Sequence, residues 1–123
     1  MYIDKNYYLN TYKGITIPDE DIEKNLKKAS RHIDVLTFNR IRAIGFDNLT
    51  EFQQEIIKDC TCELADFEYD NAELIENVLS SYSINGVSMN FGDSWNVKLI
   101  KGVAMPSDLY SVLSQTGLTS RRI

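Results

Sequence analysis

The sequence is poor in the residues that build metal and redox sites, with one histidine and two cysteines among 123 residues. His32 has no second histidine with which to complete a site, and we assign it no catalytic or metal role. Cys60 and Cys62 are two positions apart in a helical pattern, so they point to different faces. This spacing suits neither a disulfide nor a paired metal clamp, and it predicts buried free thiols.

Long apolar runs and catalytic motifs are also missing. No stretch approaches the roughly 18 apolar residues of a membrane span, and the first residues lack the basic segment and apolar run of a signal peptide. We therefore expect synthesis in the cytoplasm and no membrane association. The sequence has no glycine-rich phosphate loop, no H-E-x-x-H and no G-x-S-x-G. It predicts a protein that is not an enzyme, with no catalytic, cofactor-binding or metal-binding residues.

Basic charge is scarce as well, because the formal net charge is −5. The one basic cluster is formed by Lys24, Lys27, Lys28 and Arg31. It is most simply a solvated helix face, with a surface for nucleic acid or an acidic partner as the alternative. Nothing in this charge balance suggests tight, general DNA binding.

The first half of the chain carries helical periodicity. Pro18 and the carboxylates that follow it are typical of a helix start. An apolar stripe with spacings of three and four then predicts one buried helix face, formed by Ile22, Leu26, Ala29, Ile33 and Leu36. A short helical turn over Thr37 to Ile44 is expected to end at Gly45.

A second long helix is predicted to begin after Thr50, because Thr50 and Gln53 have the spacing of a capping box. Its expected apolar stripe is Phe52, Ile56, Cys60, Leu64 and Phe67. An unbroken helix from Glu51 to Leu79 would measure about 44 Å. Either the helix breaks near Asp70 and Asn71, or the molecule is elongated.

A β-hairpin is predicted within Ser80 to Gly92. Asn85 and Gly86 fit a two-residue type I′ turn, and alternate residues on the two arms are apolar or aromatic, namely Tyr82, Ile84, Val87, Met89 and Phe91. The fold class is therefore mainly α, a small helical bundle of two long helices and short helices, with a β-hairpin inserted at about 81–92. Gly92 to Met105 has no clear period, and it fits a third short strand or an ordered loop.

The two ends of the domain have distinct compositions. Residues 1–14 form an N-terminal arm with four tyrosines, which pack either on the domain's own core or at an interface. Pro106, Ser107 and Asp108 are expected to open a last short helix that Gly117 closes. A C-terminal tail then covers residues 116–123 of a single domain that spans 1–123.

The order of these pieces is itself informative. The chain runs from YLNTYKGI through IDVLTFNRI and GF..LT.FQ to the hairpin SYSINGVS, and it closes with L..TGL..R. In this order the segments resemble the head–tail connector proteins of long-tailed bacteriophages and prophages, over nearly the whole chain.

The resemblance implies a structural virion protein at the head–tail interface. Such an adaptor forms a ring with copies of itself, usually a dodecamer, and docks under the portal protein. It extends the DNA channel and provides the platform for the next connector, stopper or tail protein. DNA would pass without specific binding, and acidic residues facing the channel would favour that passage. The alternative is that the negative charge only keeps a small protein soluble.

The resemblance also assigns two candidate interfaces. Contacts between subunits, or with the next ring, would be made by the hairpin residues Tyr82, Ile84, Asn85, Gly86, Val87, Met89 and Phe91. The portal would be bound by the tail residues Thr116, Gly117, Leu118, Arg121 and Arg122. The alternative reading is a non-viral helical interaction module that uses the hairpin for strand pairing with a partner.

Overall fold

The computed structural model describes residues 2–76, 89–90 and 97–120. Its described part is mainly helical, as predicted. The helices are α1 (Ile22–Leu36), α2 (Arg40–Ile44), α3 (Glu51–Asp70), α4, which is described over residues 72–76, and α5 (Leu109–Ser114). A π-helical turn spans Tyr7–Thr11, and 3₁₀ turns at Asp19–Asp21 and Phe46–Asn48 precede α1 and α3.

Helix α1 buries the face that the sequence predicts. Ile22, Leu26, Ala29 and Ile33 are fully inaccessible, and Leu36 is almost so. This face packs against α3, the largest helix–helix contact of the described domain. The chain then reverses between α1 and α2 through Phe38 and Asn39, both of which adopt left-handed backbone angles.

Helix α3 begins and ends where the sequence indicates. Thr50 and Gln53 form the expected capping box, in which each side chain bonds the backbone N–H of the other residue. The helix ends at Asp70, and the amide nitrogens of Asn71 cap the carbonyl of Phe67. Of the two alternatives, the structure therefore selects the break near Asp70 and Asn71.

The predicted apolar stripe of α3 is partly wrong. Cys60 and Leu64 are buried as expected, but Phe52 is 53 % exposed. Ile57 is fully buried, whereas the predicted stripe residue next to it, Ile56, is only partly buried. The physical reason is that α3 is covered from several sides, by α1, by α5 and by strand β3 (Val103–Pro106). Its buried surface is therefore a broad band rather than one stripe, made of Ile57, Cys60, Thr61, Cys62, Leu64, Ala65 and Glu68.

The described strands form one antiparallel sheet in the order β1 (Met89–Asn90), β2 (Val97–Ile100) and β3. Strands β2 and β3 make a hairpin around Lys101 and Gly102, whose φ angles of 52° and 79° fit a type I′ turn. The sequence left this region open between strand and loop. Lys-Gly is a weaker turn signal than Asn-Gly, and three consecutive residues of β3 are buried, so β3 shows no alternation.

The hairpin predicted at 81–92 lies outside the described residues except at β1, where Met89 pairs with Leu99. At the other end, α5 begins at Leu109, with Asp108 in the N-cap position. Pro106 does not open this helix, because it pairs with Val97 as the last residue of β3. Gly117 follows the helix with a φ of 77°.

Candidate interaction surfaces

The predicted hairpin interface is described only in part. Tyr82, Ile84, Asn85, Gly86, Val87 and Phe91 lie outside the described residues, and for Met89 only the backbone is described, in β1. Residue 89 pairs with Leu99 of β2, whose own side chain is buried. The sheet thus joins the predicted hairpin region to the β2–β3 hairpin.

The predicted portal-binding tail is divided by the structure. Residues 116–120 are described, whereas Arg121 and Arg122 lie outside the described residues. Thr116, Leu118 and Thr119 are buried, and Gly117 is exposed between them. The sequence treated residues 116–123 as one tail that is poorly stabilised by its own chain, but residues 116–119 are part of the packed domain.

Two side chains of the helical core hold this segment by its backbone. The Arg40 Nη1 donates to the carbonyl oxygen of Leu118 at 3.0 Å and also to that of Ser120. The Gln53 Nε2 donates to the carbonyl oxygen of Thr116 at 3.0 Å. The path of the segment is therefore fixed by donors that belong to α2 and α3.

Arg40 also takes part in a stack at the turn between α1 and α2. Its guanidinium lies 4.8 Å from the centre of the Phe38 ring, and the Lys101 ammonium lies 3.0 Å from the same centre. Phe38 has a φ of 57°, an uncommon conformation for a bulky side chain. Cation–π contacts of this kind are attractive, and they join the α1–α2 turn to the β2–β3 turn.

The N-terminal arm packs on its own domain, one of the two alternatives that the tyrosines left open. Each of the four tyrosine hydroxyls donates to a carboxylate of α1 or α3: Tyr2 to Asp34, Tyr7 to Asp59, and both Tyr8 and Tyr12 to Asp66. We call this set of four bonds the tyrosine clasp. Tyr8 is fully buried, and its hydroxyl oxygen also accepts the backbone N–H of Ile17 at 3.2 Å.

The clasp places the tyrosines in surroundings that favour the neutral phenol. Burial first, and then Asp59, raises the pKa of Tyr7 to about 12. Burial first, and then the bond to Asp66, raises the pKa of Tyr8 to about 12. Both residues therefore remain hydrogen-bond donors at neutral pH.

The two thiols are free and buried, as the sequence predicts. Burial and neighbouring carboxylates raise the pKa of Cys60 to about 12 and also raise the pKa of Cys62. Since the thiolate is the reactive form, neither environment activates a nucleophile. Among residues 2–76, 89–90 and 97–120, no group of three or more His, Cys, Asp or Glu side chains could hold a metal ion.

A cavity of about 330 Å³ lies where α1, α3, α4 and the β2–β3 hairpin meet. Glu68 is only 7 % exposed, and its Oε2 binds the Nδ1 of His32. Sequence reasoning missed this pair because Glu68 occurs within a predicted helix as one of many acidic residues. Only the packing of α1 on α3 brings it to His32.

Comparisons with known proteins give no match, whether to a protein-family model, to a curated protein or to a solved structure. None of the described helices is both long and apolar enough to cross a membrane.

Proposed function

We propose that this protein is a structural adaptor of a phage or prophage head–tail connector, which assembles as a ring beneath the portal. In this role it contributes a docking surface and a segment of the DNA channel rather than a reaction. The resemblance of its ordered segments is the basis of the proposal, and the mainly helical character of the described domain agrees with the small, mostly helical protein that the resemblance implies.

A contact between two distant segments of the chain supports the proposal beyond the sequence resemblance. The fragments IDVLTFNRI and L..TGL..R, which lie far apart in the chain, are in direct contact, because Arg40 of the first binds the carbonyl oxygens of Leu118 and Ser120 in the second. Two of the fragments that carry the resemblance thus form one structural unit. This contact supports the view that the two fragments belong to one functional unit. In that unit the helical core holds Ser120, the residue that precedes Arg121 and Arg122 in the sequence.

The proposal is tested by light scattering coupled to size-exclusion chromatography, with the protein alone and mixed with its cognate portal ring. We expect a small species alone and a ring-sized complex with the portal. Absence of association at every concentration would overturn portal docking and favour the alternative interaction module.

A matched pair of variants tests the role of the tail without disturbing the fold. Replacing Arg121 and Arg122 with alanine removes two charges beyond the described segment, and replacing Lys24 and Lys27 with alanine removes two exposed charges from α1. We expect only the first pair to weaken portal association, with unfolding midpoints unchanged in both. Equal weakening would contradict a specific role of the tail and assign the effect either to net charge or to the basic face of α1.

A further inference from the structure

The cavity between α1, α3 and the sheet has the features of a small-ligand site. Its volume of about 330 Å³ is at the lower end of the range for ligand pockets, about 300–1,000 Å³. The polar part of its wall comes from Lys28 and His32 of α1, Glu68 of α3 and Glu76 of α4. Ile75 and Ala104 contribute apolar surface.

Glu68 is the group that points to a ligand. Its side chain is 6 % exposed, and while Oε2 is bound to His32, Oε1 has no hydrogen-bond partner among the described residues. A buried carboxylate oxygen without a donor is costly, and such groups are rare in folded proteins. Lys28 lines the same cavity, but among the described residues it makes no ion pair with Glu68. Because Glu68 lines the cavity, this acceptor without a donor belongs to a residue of the cavity wall.

The rest of the wall limits the chemistry of the donor. Glu76 supplies a second carboxylate on α4, and among the described residues of the wall the two carboxylates outnumber the one ammonium group, that of Lys28, so the wall favours a cation over an anion. Since none of the described acidic, cysteine and histidine side chains forms a metal-binding group, a metal ion is not favoured. The apolar surface of Ile75 and Ala104 suits an alkyl stem, as in a lysine or arginine side chain.

We infer that this cavity binds an organic cation, an alkylammonium or guanidinium group, which donates to Glu68 Oε1 and lays its stem against Ile75 and Ala104. Such a group could be a free amine or a side chain of a partner protein. Either would complete the hydrogen bonding of Glu68 and join α1, α3 and the sheet through one ligand. This inference is independent of the proposed adaptor function.

The test uses the full chain labelled with ¹⁵N and titrated with n-butylammonium chloride, with n-butanol as the uncharged probe. Glu68, Ala72 and Gly102 all line the cavity. We expect saturable shifts of their amides with butylammonium and none with butanol. Shifts that do not saturate, or that butanol reproduces, would overturn the inference.

Three glutamate-to-glutamine variants test whether the carboxylates of the wall bind the cation. Glu68→Gln keeps the shape of the side chain and is expected to weaken binding at least about tenfold, the effect of one lost charged hydrogen bond. Glu76→Gln, on the exposed part of the wall, should weaken binding about threefold. Glu73→Gln is the matched control, because Glu73 is exposed on α4 and is not part of the wall. Equal binding by Glu68→Gln and the unmodified protein would contradict the site.

The source of the cation is distinguished by two further probes. Putrescine represents a free amine, and the capped peptides Gly-Lys-Gly and Gly-Arg-Gly represent a partner's side chain. Tighter binding of a peptide than of putrescine assigns the site to a protein partner, and the reverse order assigns it to a small molecule. If none of these cations binds, the inference is wrong.

Discussion

The N-terminal arm and the C-terminal segment 116–120 are fixed to the same helical core by opposite means. The arm contributes side chains, because the four hydroxyls of the tyrosine clasp donate to carboxylates of α1 and α3. The C-terminal segment contributes backbone carbonyls, which accept from Arg40 and Gln53 of the core. One end therefore carries its own anchors, whereas the other is held by residues far away in the sequence.

This difference decides which end can be read from sequence. Four tyrosines in twelve residues are visible as a cluster, although the sequence does not show what they pack against. A backbone carbonyl is present at every position and leaves no signature. The importance of Arg40 for the C-terminal segment therefore becomes visible only in the structure.

The largest effect is expected from Gly14→Ala in the arm. A Cβ at this position would lie 2.2 Å from Cζ of Tyr8, whose ring is buried and held by Asp66. Because the ring is fully buried and hydrogen-bonded, it cannot give way without disturbing its packing, and we expect a loss of about 3 kcal/mol in the free energy of unfolding. Urea denaturation at pH 7 measures it.

Gly117→Ala is the matched control at the other end. A Cβ there meets no atom within 4 Å, but the φ of 77° is unfavourable for alanine, so we expect a loss of about 1 kcal/mol. If Gly117→Ala lowered the free energy of unfolding more than Gly14→Ala, the packing around the tyrosine clasp would not be less tolerant of added volume than the C-terminal segment.

The next effect is expected from Arg40→Met, which removes the donor to Leu118 and Ser120 and the cation beside Phe38. We expect a loss of about 2 kcal/mol, because these are charged hydrogen bonds at a partly buried site. Urea denaturation gives the free energy, and ¹⁵N relaxation should show residues 118–120 becoming mobile while the arm is unchanged.

Lys24→Met removes an exposed cation from α1 and serves as the control. We expect its free energy of unfolding to stay within about 0.5 kcal/mol of the unmodified protein. Unaltered relaxation of residues 118–120 in Arg40→Met would refute the role of this arginine as the anchor of the segment.

The clasp, unlike the C-terminal anchor, should depend on alkaline pH. The pKa values of Tyr7 and Tyr8 are raised to about 12 in the folded protein, from an ordinary value of 10.0. The unfolded chain therefore loses these protons first, and their contribution to stability is complete below pH 10 and decreases as pH rises towards 12.

Urea denaturation at pH 8, 10 and 11 measures this slope. Tyr7→Phe should flatten it, since one titrating hydroxyl is removed. Arg40→Met should lower stability at every pH and leave the slope unchanged. A slope that Tyr7→Phe does not alter would mean that other groups cause the alkaline loss.

Local signals in the sequence predict the helical part of this fold well. The α1 face from Ile22 to Leu36 and the capping box of Thr50 and Gln53 follow from periodicity and spacing, and both are confirmed. The prediction is wrong at Phe52, because a single stripe assumes one buried face, whereas α3 is covered on several sides. The number of neighbours of a helix is a tertiary property.

The contacts of the candidate surfaces were largely invisible to sequence reasoning for the same reason. Glu68 is paired with His32 across 36 positions, and Arg40 with Ser120 across 80. Residues so far apart in the chain leave no local sequence pattern that would reveal their contact. Likewise, the turn at Lys101 and Gly102 depends on a left-handed lysine, which propensity alone does not favour.

The smallest effect is expected where the C-terminal anchor ends. Truncation after Ser120 keeps every carbonyl that Arg40 and Gln53 bind, and it places a new carboxylate beside the Arg40 guanidinium. We expect unfolding free energies within about 0.5 kcal/mol of the full chain. Truncation after Leu118 also removes the Ser120 acceptor and the 2.9 Å bond between the hydroxyls of Thr119 and Ser114. It should cost about 1–2 kcal/mol more, so equal stability of the two truncations would show that the anchor ends before Thr119.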